Sequence, residues 1–338
     1  MSTNLAELLS NVSVEAPMAY EKLRLFPLKL NRESGLRYLT LDDAAREKLV
    51  TVEETSAAGS VPTLRVRNDA KDRLLIVDGS TLIGAKQNRV VNLSLMLAPE
   101  SVTEIPVSCV ERGRWSMATP AFAAGGLSDK GLREKMCRGA TDSLREKQEV
   151  SPDQGVVWGH VEEMLVACKA ASPTRAYHAI HEKMARGLAD CETHLPFPPQ
   201  ACGVAVEIDG ALQGVDLFDK PKTLQQLWPR LVRSYFVSAV DRKLSGGAKR
   251  DVKEFLKHAL ASKQESYEPV GVGTTVRLTN AEGVGAALIC EGKLVHLSLF
   301  ANEAPTTIGE PAPNQIRENQ TPPTRPNVTD RSWWRFWA

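Results

Sequence analysis

Apolar positions in the first third of the chain alternate with polar ones or gather in short runs, and turn residues punctuate them at regular intervals. Leu23 to Leu30, Val50 to Glu54 and Leu64 to Asn68 carry the period of two that half-buried strands require. Thr40 stands as an N-cap before a short helical pattern, Leu41 to Leu49, with Asp42 and Asp43 favourably placed in its first turn. Leu74 to Val77 run into Asp78-Gly79, a dipeptide suited to a two-residue type I′ hairpin turn, and Leu82-Ile83 reads as the returning strand. Gly84 interrupts that strand, which signals either a bulge or a polar loop through Arg89. Val90 to Leu97 and Val102 to Val110 then read as two strands joined by the turn Ala98 to Ser101. Short strands with regular turns predict a β-rich sandwich or a partly open barrel.

Beyond Trp115 the pattern changes. Ser116 to Ser128 is a small-residue stretch, read as a lid hinged at Gly125-Gly126 or as a surface connector. Three helical segments follow, Asp129 to Gln148, Pro152 to Ala171 and Pro173 to Asp190, the last with Ser172 as N-cap and proline at its first position. After the extended LPFPPQ connector, Gly203 to Phe218 aligns without gaps to Gly285 to Phe300. Both are hairpins with an acidic-Gly turn, and they are expected to lie side by side or on equivalent faces. Between them, Leu224, Leu227, Trp228, Leu231, Val232, Tyr235, Ala239 and Val240 form one apolar stripe on a helix from about Thr223 to Leu244. Pro229 is expected to kink or restart it. Asp251 to Lys263 reads as a further, basic helix.

The expected fold is therefore α+β. A flexible stretch, 1–17, precedes a globular region, 18–300, made of a β-rich part (18–115), a helical middle (116–200) and C-terminal β-hairpins packed on an amphipathic helix (201–300). From 301 to 338 the composition turns to proline, asparagine and threonine, which predicts a disordered tail. That tail ends in a tip, Trp333, Trp334, Arg335, Phe336 and Trp337, suited to docking on a protein partner or a membrane interface.

Composition narrows the function classes. A net charge of +1, from 42 basic and 41 acidic residues, gives no global reason to bind nucleic acid. No run of apolar residues is long enough for a membrane span, the N-terminus lacks a secretory pattern, and the six cysteines are scattered without a CxxC pair. They read as reduced, buried thiols in a cytoplasmic protein.

Chemistry concentrates between Asp78 and Trp115. Lys86, Gln87 and Arg89 follow the Gly84 break, and Glu111, Arg114 and Trp115 close the last strand; together they offer charge, bidentate donors and a flat apolar surface for an anionic or planar ligand. The structural alternative is an ion pair between Glu111 and an arginine, with Trp115 plugging the end of a core. In the repeat, Asp216 falls between Val215 and Leu217 on a buried strand and so needs a partner, Arg89 or Arg114 being candidates. His296, between Val295 and Leu297, reads as a core histidine bonded to backbone or as a base. His178, His181, Cys191 and His194 have metal-like spacing but match no standard zinc module. No Walker loop, GxGxxG, GxSxG or HExxH occurs, and no cofactor or metal is expected.

The run Ser60 to Asn92, followed by Ile105 to Trp115, resembles the bacterial domain family named for its association with ADP-ribosylglycohydrolase and rhodanese-phosphatase proteins. The resemblance extends through LPFPP, Gly214 to Phe218 and Gly283 to Phe300, and so covers most of Tyr20 to Phe300. Its most specific pieces are Gly84 to Arg89 and Pro106 to Trp115. Ser80 and Thr81 stand where related sequences carry acidic residues, which argues against carboxylate catalysis or metal binding at that turn. The resemblance implies a place in NAD and ADP-ribose metabolism. Three functions fit: a non-catalytic ligand-binding or accessory protein taking a nucleotide or ADP-ribose-type molecule, a hydrolase of such a molecule with Asp216 or Glu111 as acid or base, and an adaptor working through residues 331–338.

Overall fold

A computed structural model describes residues 5, 12–31, 33–240 and 249–302, and within them the fold is α+β. Strands β1 (Val12–Val14), β2 (Met18–Tyr20) and β3 (Leu23–Leu30) pair antiparallel, and β4 (Tyr38–Thr40) then leaves for another sheet. Helix α1 (Leu41–Arg46) starts where expected, with Thr40 Oγ1 accepting from the Asp43 amide at 3.3 Å. There follow β5 (Val50–Glu54), β6 (Thr63–Asn68), β7 (Arg73–Ile76), β8 (Ser80–Gly84), β9 (Arg89–Val91), β10 (Leu95–Leu97), β11 (Ser101–Cys109) and β12 (Phe122–Leu127). Six of these form a sheet in the order β12-β8-β9-β11-β6-β5, whose edge strands β5 and β12 approach each other, curling it into a half-open barrel.

Asp78-Gly79 is not a hairpin. Strand β7 pairs with β10 and β4 in a three-stranded sheet, whereas β8 belongs to the barrel. Only Gly79 has positive φ (+80°), and the Ser80 amide donates to Val77 O at 3.2 Å, the pattern of a type II turn rather than type I′. The turn carries the chain from one sheet to the other. The expected strand Val90 to Leu97 is likewise two strands, β9 and β10, because Asn92–Ser94 crosses back. The two crossings are tied together: Ser94 Oγ accepts from the Asp78 amide at 3.0 Å and donates to Asp78 Oδ1 at 2.9 Å.

Gly125-Gly126 is no hinge either. It lies in bulged edge strand β12, where a Cβ on Gly125 would fall 2.4 Å from Thr81 Oγ1. Helices α2 (Lys130–Lys147), α3 (Gln154–Ala167), α4 (His178–Lys183) and α5 (Ala185–His194) make the middle layer. The helix expected from Pro173 begins only at His178. Ala176 bridges Glu111 and the Tyr177 amide donates to Val110 O at 2.9 Å, so the residues just beyond β11 tie this segment down ahead of the helix.

The second half contributes β13 (Gly203–Ile208), β14 (Ala211–Phe218), α6 (Pro221–Ser238), α7 (Val252–Leu260), β15 (Lys263–Tyr267), β16 (Thr274–Thr279), β17 (Gly283–Cys290) and β18 (Lys293–Ala301). The repeated hairpins turn at Asp209-Gly210 and Glu291-Gly292, all four residues at positive φ as type I′ requires. They lie side by side: β14 pairs with β18 in a nine-stranded sheet, Asp216 facing Ser298, its equivalent in the other copy. Each hairpin also bulges at the same repeat position, Gln213 and Val295 being the unopposed residues. Helix α6 runs through Pro229 without restarting, and its stripe packs with Val204, Val206, Phe218 and Val295. Helix α7 covers the other face, over Val215, Leu217, Leu297 and Leu299. Among the described residues, no helix is long and apolar enough to cross a membrane. All six cysteines are unpaired and buried.

The sheets are joined by buried charge. Arg133 of α2, 1% exposed, sends Nη1 and Nη2 to the two Asp216 oxygens at 3.0 and 2.5 Å and Nε to Asp78 Oδ2 at 3.1 Å. Asp216 therefore pairs with Arg133, not with Arg89 or Arg114. Tyr235 adds a hydrogen bond to Asp216 Oδ2 at 2.8 Å. His296 bonds side chains rather than backbone: Nδ1 lies 2.7 Å from Ser94 Oγ and Nε2 3.3 Å from Asp216 Oδ1. Burial alone would raise both aspartates, but the Arg133 guanidinium outweighs it and holds them below the usual carboxylate range.

With both folded values depressed, the stabilisation is fully present above the unfolded carboxylate range near about pH 4 and is lost as pH falls below it. Arg133→Met is expected to lower stability to denaturant by about 3–5 kcal/mol at neutral pH, since it strands two buried carboxylates. The gap from the parent should narrow steadily from about pH 6 to about pH 2; a gap independent of pH would contradict this. Gly79→Ala and Gly210→Ala share the same φ of +80°, but the nearest neighbour of the new Cβ is Arg133 Cγ at 2.6 Å in the first and Lys249 Cε at 3.8 Å in the second. Equilibrium unfolding should show the first costing at least about 1 kcal/mol more; equal costs would mean that the turn is free to relax.

Candidate functional site

Glu54 at the end of β5, the turn 85–88 between β8 and β9, Arg89 at the head of β9 and Trp115 beyond β11 converge at the half-open barrel. The turn is held by its neighbours. Ala85 sits at φ +40° with its amide on Thr119 Oγ1 at 3.0 Å, and the Gly84 amide donates to Asn88 Oδ1 at 3.0 Å.

Arg114 acts as the staple of that turn. Its Nη1 donates to Ala85 O at 2.5 Å and Ser116 O at 3.0 Å, its Nη2 to Gly84 O and Asn88 Oδ1, both at 3.2 Å. Its Nε and Nη2 also grip the two oxygens of Glu111 at 3.0 and 2.6 Å. Glu111 in turn accepts from the Asn88 amide at 3.0 Å and Thr174 Oγ1 at 2.8 Å. Burial pushes the Glu111 carboxyl up, yet the hydrogen bonds from Arg114, Thr174 and Asn88 outweigh it and hold it below its usual range. Every polar atom of this pair faces a protein partner.

Arg89 differs. It is 0% exposed, and only Nη1 is satisfied, by Gln87 O at 3.2 Å and Gln87 Oε1 at 2.9 Å. Its Nε and Nη2 have no hydrogen-bond partner among the described residues, and neither has Glu54 Oε2. Glu54 Oε1 stands 3.9 Å from Arg89 Nη2, an ion pair without a hydrogen bond. Over them lies the Trp115 ring, 47% exposed, its centroid 5.5 Å from Arg89 Cζ and 5.4 Å from Lys86 Nζ. Lys86 Nζ donates to Ala58 O at 2.8 Å. Burial lowers the Arg89 guanidinium from its ordinary value, with Glu54 opposing.

Buried donors and acceptors are almost always paired, and leaving one unpaired costs about 1–3 kcal/mol. Two guanidinium nitrogens, with three N–H groups between them, and one carboxylate oxygen are thus left unpaired beside an aromatic face.

The residues picked from sequence fall into two groups. Lys86, Gln87, Arg89, Glu111, Arg114 and Trp115 come together, whereas Asp216 and His296 belong to the Arg133 network. Trp333, Trp334, Arg335, Phe336 and Trp337 lie outside the described residues. Among the described residues no group of three or more His, Cys, Asp and Glu is placed to hold a metal ion. His194 stacks on Tyr20 at 4.5 Å, burial pulls His181 down to about 4, and burial pushes the Cys191 thiol up to about 12. Glu54 is the residue that sequence reading missed. Its signal was present: in Val50-Thr51-Val52-Glu53-Glu54, Glu54 shares a side with Val52, and both are buried.

No curated protein and no solved structure matches the chain. One family model does, over residues 11–300, which is most of the length. The protein belongs to the ARG and Rhodanese-Phosphatase-superfamily-associated Protein domain family.

Proposed function

We propose that the protein is a non-catalytic ligand-binding or accessory protein that takes a nucleotide or ADP-ribose-type molecule at Arg89, Lys86 and Trp115. The observation that carries this reading is the unpaired edge of Arg89, a fully buried cation covered by a half-exposed indole. The structural arginines Arg133 and Arg277 bond their neighbours and leave no buried nitrogen without a partner. Residues 112–121 form neither helix nor strand, so the Trp115 ring can swing aside without breaking a regular element. Lys86 Nζ has three donors and Ala58 O takes one, which leaves two for a phosphate at the mouth. The family's own description, which names ARG and rhodanese-phosphatase proteins as its associates, favours a setting in NAD and ADP-ribose metabolism.

Turnover has less support. Asp216 and Glu111, the residues considered as acid or base, are each held ionised by an arginine with two hydrogen bonds, and neither is poised to exchange a proton near neutrality.

Thermal denaturation of the full chain with NAD, ADP-ribose, nicotinamide mononucleotide and inorganic phosphate tests this. At about 100 times its dissociation constant a ligand should add about 2.7 kcal/mol of stability. Trp115→Ala is expected to keep the fold and abolish that gain. No shift with any of the four, or the same shift in Trp115→Ala, would contradict the proposal.

A further inference from the structure

We infer that Glu54 and Arg89 together read a planar ring bearing an amide, either a lactam or a carboxamide, seated under Trp115. This rests on the binding site proposed above and names the part of the ligand that the site recognises. A free guanidinium edge taken alone would suit an oxoanion, which it binds through two parallel N–H groups. Glu54 changes that expectation. Its Oε1 lies 3.9 Å from Arg89 Nη2, and its Oε2 is buried and unpaired. An oxoanion against Arg89 would press on a carboxylate, and like charges at such a distance repel strongly.

The position of Gly59 shows how tightly these groups meet. A Cβ there would lie 3.0 Å from Lys86 Cδ, 3.2 Å from Trp115 Cζ2 and 3.3 Å from Glu54 Oε2. The unpaired carboxylate oxygen and the indole edge therefore border the same small space at Gly59, where a ring stacked on the indole would meet that oxygen. Such a ring must offer acceptors to Arg89 Nε and Nη2 and a donor to Glu54 Oε2. An amide does both in one plane: its carbonyl, alone or with a neighbouring ring nitrogen, accepts from the guanidinium, and its N–H donates to the carboxylate. Arginine reads the O6/N7 edge of guanine in this way, and carboxylates accept from base N–H groups. The nicotinamide carboxamide presents the same pair, so guanine and nicotinamide are two sources of one chemistry. Lys86, on the rim, meets the charged remainder of the molecule.

Isothermal titration calorimetry on the full chain should compare guanosine 5′-monophosphate, nicotinamide mononucleotide and ribose 5-phosphate. One of the ring-amide mononucleotides is expected to bind at least about tenfold tighter than ribose 5-phosphate, as a hydrogen bond to a charged group implies. Which of the two prefers the site decides between lactam and carboxamide. Glu54→Gln should erase that preference while binding ribose 5-phosphate better than the parent does, because the repulsion is gone. Glu54→Asp, which keeps the charge but withdraws the oxygen, serves as the second variant and should erase the preference without improving ribose 5-phosphate. Ribose 5-phosphate binding as tightly as both mononucleotides, and losing affinity in Trp115→Ala, would overturn the ring-amide inference and leave the site standing. Failure of all three to bind would overturn both.

Discussion

The whole arrangement hangs on one guanidinium. Arg133 is fully buried and uses all three nitrogens on two carboxylates, Asp78 from the barrel side and Asp216 from the nine-stranded sheet. Burying three charges is expensive unless geometry and further hydrogen bonds repay it. Here Ser94, Tyr235 and His296 supply those bonds. The same cluster fixes topology. Asp78 and Ser94 stand where the chain leaves one small sheet and returns to it, so the residues that lock the two crossings also anchor them to the C-terminal repeat. Gly79 is required there because the Arg133 stem occupies the space a side chain would need.

Set beside Arg133, the buried Arg89 stands out. The two are equally hidden, but Arg89 has satisfied one nitrogen of three. The surrounding turn is not loose: Arg114 and Glu111 clamp it from below with hydrogen bonds to backbone and side chain. A rigid frame around an unsatisfied cation is what a preorganised binding site looks like, since donors held in place need no reordering when a ligand arrives.

Periodicity revealed the elements well. The repeated hairpins, their type I′ turns, their side-by-side pairing and the α6 stripe all follow from local patterns that tertiary packing reinforced. Connectivity between sheets was harder to read. Asp78-Gly79 carries a hairpin's residues, but both edges of β7 were already taken by β4 and β10, and nothing local announces that competition. Ala176 was lost to a helix pattern for the same reason, since its partner Glu111 is 65 positions away in sequence. Of the candidate site, Lys86, Gln87, Arg89 and Trp115 were legible as polar residues breaking apolar runs. The pairings were not: Asp216 was matched to the wrong arginines because Arg133 reads as one more charged residue on a helix, although it falls among Leu132, Met136 and Cys137 on the buried face.

That the orphaned edge of Arg89 is a ligand's place is tested most directly by a crystal structure of the full chain grown with nicotinamide mononucleotide or guanosine 5′-monophosphate. The ring is expected against the Trp115 indole, with acceptor atoms about 3 Å from Arg89 Nε and Nη2. A ligand lodged instead in the cleft of about 220 Å³ lined by Tyr38, Lys220 and Gln226, with Arg89 closed directly onto Glu54, would contradict it.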